Sequence, residues 1–260
     1  MKRKRIIWAI ALFLVILASF CVGFGVNASG SLHWFIRRCP GGAPGFPKEA
    51  KQIKEYGAFY IDEKAKDDDK VIYITFDAGY ENGNVEKILD ILKEEGVPAA
   101  FFLLDNIILR NTDLVKRMAD EGHLVCNHTK NHKNLFSASE EEIREDLSAL
   151  ENIYRDRCGR EMSRYFRFPE GSYSIDALKS VQKLGYKTIF WSFAYDDWDN
   201  GRQPNPERAM KKVLDNTHNG GVMLFHPTSS TNAEIFPDLI HRWREMGYSF
   251  GTLDDLTNKN

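Results

Sequence analysis

"VIYITFDAGYENG", residues 71–83, decides the fold. Val71–Phe76 is an apolar, β-branched run that reads as a buried strand. Asp77 sits where that strand should end, and Gly79, Gly83 and the Tyr80-Glu81-Asn82 cluster then break the chain's regularity. A carboxylate at the tip of an apolar strand raises the question of what else collects at strand ends.

Working outward from this stretch, short apolar runs alternate with amphipathic ones. Strands are expected at 71–76, 99–104, 123–126, 165–168, 188–191, 222–225 and 248–251. Helices are expected at 84–95, 106–121, 139–157, 174–184, 206–216 and 233–246, with Ser139 and Glu142 forming a capping box. Such alternation implies a mostly parallel α/β layout, as a barrel or an open sheet. In both, chemistry gathers at the carboxyl ends of the strands.

The other strand ends carry polar outliers too. "NHTKNH" (127–132) follows the third strand. If it turns helical, His128 and His132 share one face and can grip a cation; otherwise they are two surface histidines. "RFPEG" (167–171) puts Arg167 at a strand end, with Pro169 stiffening the turn and Gly171 allowing unusual backbone angles. An arginine near a buried carboxylate keeps it ionised. In "SFAYDDWDNG" (192–201), Asp196, Asp197 and Asp199 bracket Trp198, which either faces a sugar ring or folds inward. His226 then caps Val222–Phe225.

The charge balance excludes some functions. Of 35 Lys+Arg, four are Lys2–Arg5, which leaves 31 against 37 Asp+Glu in the rest of the chain. So acidic a body is a poor match for nucleic acid. The cations precede 21 uncharged residues, 6–26, long enough for a bilayer-spanning helix of ~20 residues. Two readings stay open: an uncleaved membrane anchor with the body outside the cytoplasm, or a signal peptide cut near Val26-Asn27-Ala28 and a secreted body. The chain then divides into that segment (1–28), a linker and N-terminal arm (29–69) and the main domain (70–257). Cys39, Cys126 and Cys158 show no CxxC spacing, so a cysteine zinc site is not expected; a Cys39–Cys158 disulfide is possible.

Taken in order, "TFDAG" (75–79), "HTKNH" (128–132), "RFPEG" (167–171), "DDW" (196–198) and "LFH" (224–226) resemble the five motifs of the polysaccharide deacetylase family, carbohydrate esterase family 4, with its NodB homology domain. The likeness runs over about residues 70–256, including "GTLDDL". "HWFIRR" (33–38), "KEYGAFYID" (54–62) and "TFDAGYENG" are further similar to the delta-lactam-biosynthetic, PdaA-like de-N-acetylases of the spore cortex. The resemblance implies a distorted (β/α) barrel of about seven parallel strands. It implies a hydrolase that removes N-acetyl groups from peptidoglycan, with N-acetylmuramic acid leading to muramic delta-lactam, and a divalent metal ion, zinc or similar, as cofactor. Its expected partners are peptidoglycan glycan strands and, through the N-terminal segment, the membrane.

The motif matches imply roles. Asp77 is the general base, Arg167 its partner, and His128 and His132 are metal ligands. The Glu170 backbone N–H faces the oxyanion, within the Pro169–Gly171 turn of the substrate-binding wall. Asp197 orients His226, the general acid, and Trp198 and Leu224 wall the acetyl pocket. One position departs from the pattern. Ala78 stands where the family commonly has a third, carboxylate ligand, so the ion would keep two protein ligands unless another carboxylate, such as Glu81 or Asp196, swings in. Two alternatives follow: a glycan-binding homologue with weak or no turnover, or a deacetylase of another polysaccharide such as chitin or xylan.

Overall fold

The structure, a computed structural model, describes residues 32–66 and 68–258. The expected anchor or signal segment lies outside the described residues. Among those described, no helix is long and apolar enough to cross a membrane.

In chain order the strands are β1 (Leu32–His33), β2 (Ala58–Phe59), β3 (Lys70–Ala78), β4 (Ala100–Leu103), β5 (Leu124–Asn127), β6 (Tyr165–Phe166), β7 (Ser172–Tyr173), β8 (Lys187–Ile189), β9 (Gly221–Phe225) and β10 (Tyr248–Gly251). All seven expected strands are present. Every pairing in the main sheet is parallel. β3 is its hub: β4 pairs with residues 75–78, β10 with 70–73, and β9 with 72–76. The row continues β4-β5-β6-β8-β2, and a bridge from Phe193 to Met223 brings the chain after β8 back to β9. The expected distorted barrel of parallel strands is therefore the observed architecture.

Two-residue alternation along β3 sets which side chains reach the site. Ile72, Ile74, Phe76 and Ala78 face outward, into the apolar layer shared with the helices. Val71 and Tyr73 face the barrel interior, where Phe102, Cys126 and Val222 meet them. Thr75 and Asp77 continue that inward row to the barrel mouth, where Arg167 bonds both.

The helices cover the outer face because their apolar positions recur at helical spacing. Asn84–Glu95 buries Val85, Ile88, Leu89 and Leu92, and ends where Gly96 turns left-handed at φ 60°. Ser230–Glu245 buries Ile235, Phe236, Leu239, Ile240 and Trp243, each contributing roughly 1.5–3 kcal/mol of transfer free energy. Glu140–Cys158 opens with the expected capping box: Ser139 accepts from the Glu142 N–H, and Glu142 accepts from the Ser139 N–H at 2.8 Å. The helix expected over 106–121 is two, Asp105–Arg110 and Thr112–Asp120. They divide at Asn111, whose φ −131° and ψ 45° are not helical.

The Gly/Pro-rich stretch after residue 31 is a packed arm. β1 pairs antiparallel with β7. Trp34 is buried and stacks on Phe190, ring centroids 4.7 Å apart, while its backbone N–H donates to the Gly171 carbonyl and its Nε1 to the Trp191 carbonyl, both at 2.8 Å. The Cys39–Cys158 disulfide does not form. Both thiols are free, Cys39 exposed on the arm and Cys158 buried at a helix end among Tyr154 and Met162.

Candidate active site

The carboxyl ends of the strands open onto a cleft of about 590 Å³. Its lining includes Arg38, Asp77, His132, Glu170, Trp198, Leu224 and His226. The sequence separates these residues by nearly the whole domain, and the barrel topology brings them to one mouth.

Beneath the cleft, Arg167 is fully buried and ties three strands together. Its Nη1 donates to Asp77 Oδ1 at 2.8 Å, its Nη2 to Thr75 Oγ1 at 2.9 Å, and its Nε to the Ile189 carbonyl at 3.0 Å. The guanidinium also lies 4.2 Å from the centre of the Phe102 ring. Burial would raise the Asp77 pKa, but the positive charge of Arg167, with smaller help from His128 and His226, outweighs it and holds the carboxyl below its usual range. Asp77 is thus a carboxylate at neutral pH, and its side chain keeps 11% exposure to the cleft.

His226 is the opposite pole. Asp197 is buried and accepts from His226 twice at 2.8 Å, through the backbone N–H at Oδ2 and the ring Nδ1 at Oδ1. Asn232 Nδ2 donates to the same carboxylate at 2.7 Å and to the His226 carbonyl at 3.0 Å, while Asn232 accepts in turn from the Tyr195 hydroxyl. Burial would lower the His226 pKa, yet the Asp197 charge and hydrogen bond prevail and raise it above 6.5. With Nδ1–H committed to Asp197, Nε2 is the atom left to trade a proton in the cleft.

"HTKNH" is a loop, not a helical turn: Thr129 and His132 both have left-handed backbones, at φ 70° and 62°. The loop still stacks the two imidazoles edge to face, 5.1 Å apart. His128 is buried, and its Nδ1 must be protonated to donate to the Arg167 carbonyl at 2.9 Å. Desolvation holds its pKa down at about 4, against the pull of Asp77, so the ring is neutral. Its Nε2 lone pair then faces Asp77 Oδ2 at 3.5 Å. Two acceptors aimed at one point call for a cation or a proton donor there.

This donor set fits a divalent ion gripped by the two imidazoles, with nothing stronger. Among the described residues no three His, Cys, Asp or Glu side chains converge as a metal-holding group. Ala78 is in the outer apolar layer. Glu81 turns back to accept from the Gly83 N–H and lines a different depression, with Arg110 and Asp113. Asp196 lines the cleft, but no such cluster forms around it.

The remaining expected residues divide. Glu170 (φ 57°), Leu224 and Trp198 reach the cleft, and Trp198 is 59% exposed, so it does not fold inward. Pro169 and Gly171 are buried behind the lining and do not reach it. Gly171 acts structurally: at φ +64° an added Cβ would lie 2.9 Å from Trp191 and 3.0 Å from Trp34, so only glycine lets the arm close here. Arg38, Asn232 and Thr75 were not anticipated as site residues.

A model of the polysaccharide deacetylase family matches residues 64–189. The peptidoglycan-N-acetylmuramic acid deacetylase PdaA of Bacillus subtilis (strain 168) is 36% identical over 230 residues, covering 86% of this chain and 85% of that protein. The chain belongs to the polysaccharide deacetylase family. The solved structure of Bacillus subtilis PdaA, a family 4 carbohydrate esterase, superposes with a TM-score of 0.83 at 33% identity, covering 88% of this chain and 97% of that one. A peptidoglycan-N-acetylglucosamine deacetylase of Bacillus cereus is 31% identical over 216 residues, 79% of this chain and 96% of that protein. These similarities support the PdaA-like subgroup. As a polysaccharide deacetylase, the chain is a carbohydrate esterase acting on N-acetyl amide bonds.

Proposed function

We propose that this polysaccharide deacetylase removes the acetyl group from N-acetylmuramic acid in peptidoglycan, so that the freed amine can close to muramic delta-lactam. The observation that carries the reading is the opposed pair at the cleft: Asp77 held ionised by Arg167, and His226 with its Nδ1–H on Asp197, whose charge raises the ring's pKa. A glycan-binding module has no use for such a pair. The likeness to a muramic acid deacetylase supports the substrate.

Each residue has a defined task. Asp77 accepts a proton from the attacking water. The acetyl carbon becomes tetrahedral, and the Glu170 backbone N–H steadies its oxyanion, a contribution of roughly 3–4 kcal/mol for one well-aimed donor. His226 Nε2–H then protonates the sugar nitrogen as the C–N bond breaks, so acetic acid and a neutral amine leave, with the water's proton on Asp77 and His226 neutral; loss of the Asp77 proton to solvent and reprotonation of His226 reset the pair. Leu224 and Trp198 wall the acetyl group and the sugar ring. His128 and His132 would hold the divalent ion, whose Lewis acidity would activate the water and the acyl oxygen. We further propose that residues 1–28 place the enzyme outside the cytoplasm, as an anchor or a cleaved signal, and that spore cortex is its setting.

The test is acetate release from peptide-free peptidoglycan by the full chain, with and without added divalent ion, and analysis of the product for muramic delta-lactam. Activity only on chitin or xylan oligomers would overturn the substrate. A second reading, glycan binding with little turnover, is favoured by one feature: Ala78 supplies no third ligand. Binding without acetate at any ion concentration would establish it.

A further inference from the structure

Of the charged side chains that line the cleft, the proposed reaction gives no task to Asp196, to the Glu170 carboxylate or to Arg38, and of these Arg38 alone is a cation. Arg38 lines the cleft, projecting from the arm beside the loop that carries Asp197 and Trp198. Among the described residues it makes no ion pair, although Asp77, Glu170 and Asp196 line the same cleft. Its Nη2 donates to the Ala194 carbonyl at 2.8 Å, which anchors the guanidinium beside the cleft, and among the described residues its other donors have no acceptor.

The plain alternative is that Arg38 pins the arm. The arm, however, is already fixed without it. The β1–β7 ladder, the two hydrogen bonds of Trp34 and the Gly41 N–H donated to the Asp215 carbonyl at 2.9 Å all hold it. A neutral donor could serve the Ala194 carbonyl equally well. A cation here, among acids it does not touch, suits a ligand that brings its own negative charge.

We infer that Arg38 is a specificity residue that reads the lactyl carboxylate of a muramic acid ring. This rests on the proposed substrate class and deepens it. N-acetylmuramic acid differs from N-acetylglucosamine by one O-linked lactyl group, whose carboxylate lies beside the N-acetyl substituent on the ring. With the acetyl group between Asp77 and His226, that carboxylate emerges at the cleft wall. A guanidinium offers it two parallel hydrogen bonds, a geometry lysine cannot reproduce. The selectivity then comes from the N-terminal arm and not from the barrel that performs the hydrolysis.

The experiment compares peptide-free glycan with the same glycan after its lactyl carboxylates are converted to methyl esters. For the wild type, kcat/KM is higher on the free acid, through KM. In Arg38→Gln the ratio of free acid to ester falls roughly 10-fold, the scale of one charge-assisted contact. Arg38→Lys restores part of the ratio. A role confined to holding the arm lowers both substrates together and leaves the ratio unchanged, and that result overturns the inference. So does a wild type that does not distinguish acid from ester. Binding is measured separately, by titrating the full chain with N-acetylmuramic acid and with N-acetylglucosamine, so that the inference survives independently if acetate release fails. Preference for the former, lost in Arg38→Gln, supports it; equal binding by the wild type refutes it.

Discussion

Replacing Arg167 by leucine should unfold the site from beneath. The side chain is fully buried, and its loss removes the partner of Asp77, the bond to Thr75 and the bond to the Ile189 carbonyl. Breaking a buried ion pair from one side costs about 3–5 kcal/mol, because the other charge stays behind. That is a large share of the ~5–15 kcal/mol that holds a domain together. The sign with pH follows from Asp77. Its folded pKa is depressed, so the pair's stabilisation is present above the unfolded carboxylate value of ~3.9 and is lost as pH falls through the folded value. In the leucine variant Asp77 titrates higher and escapes its unpaired charge by protonation. Urea unfolding in metal-free buffer should therefore show a gap between wild type and variant that is widest near neutral pH and narrows toward pH 4. Adding Asp77→Asn to the leucine variant should recover part of the loss, and Arg167→Lys should cost less than leucine. A gap independent of pH, or strictly additive penalties in the double variant, would refute the account of a charge pair sealed by its own geometry.

Asp197→Asn removes what holds the His226 pKa up, so the alkaline limb of the kcat/KM profile should move to lower pH. An unmoved limb would mean His226 is not the proton donor. Ala78→Asp places a carboxylate at a position buried in the apolar layer, so the metal-free protein should lose about 1–3 kcal/mol. Divalent ion should raise its melting temperature more than that of the wild type, and equal shifts by calorimetry would count against a third-ligand position there. Gly171→Ala forces a left-handed alanine against Trp34 and Trp191, with an expected loss of about 1–3 kcal/mol. Its arm should become sensitive to limited proteolysis, and unchanged cleavage would show that glycine is not required for closure.

The strands were legible because each is a short apolar run ending in a polar residue, and in a parallel barrel those ends share one mouth. Asp77, Arg167 and His226 could be placed together for that reason alone. The imidazole pair was legible as a spacing but not as a conformation, since Thr129 and His132 adopt left-handed backbones that no periodicity announces. Asn232 was hidden because it serves the site through a backbone carbonyl and a carboxylate from another loop. The arm was obscured by its Gly/Pro content. Its aromatic residues, Trp34 above all, were the available sign that it packs. A methyl group cannot ligate in any fold, but only the alternation of β3 shows that the Ala78 side chain belongs to the helix-facing layer.

One guanidinium clasps the β3, β6 and β8 ends of the barrel and sets the charge of the Asp77 carboxylate above it. The two duties cannot be relaxed separately. A lineage drifting from hydrolysis toward mere carbohydrate capture would shed its accessible imidazoles first, His132 and His226, and keep Arg167 long after the chemistry had gone. An arginine kept at this place would therefore record architecture, and loss of turnover would show in the histidines.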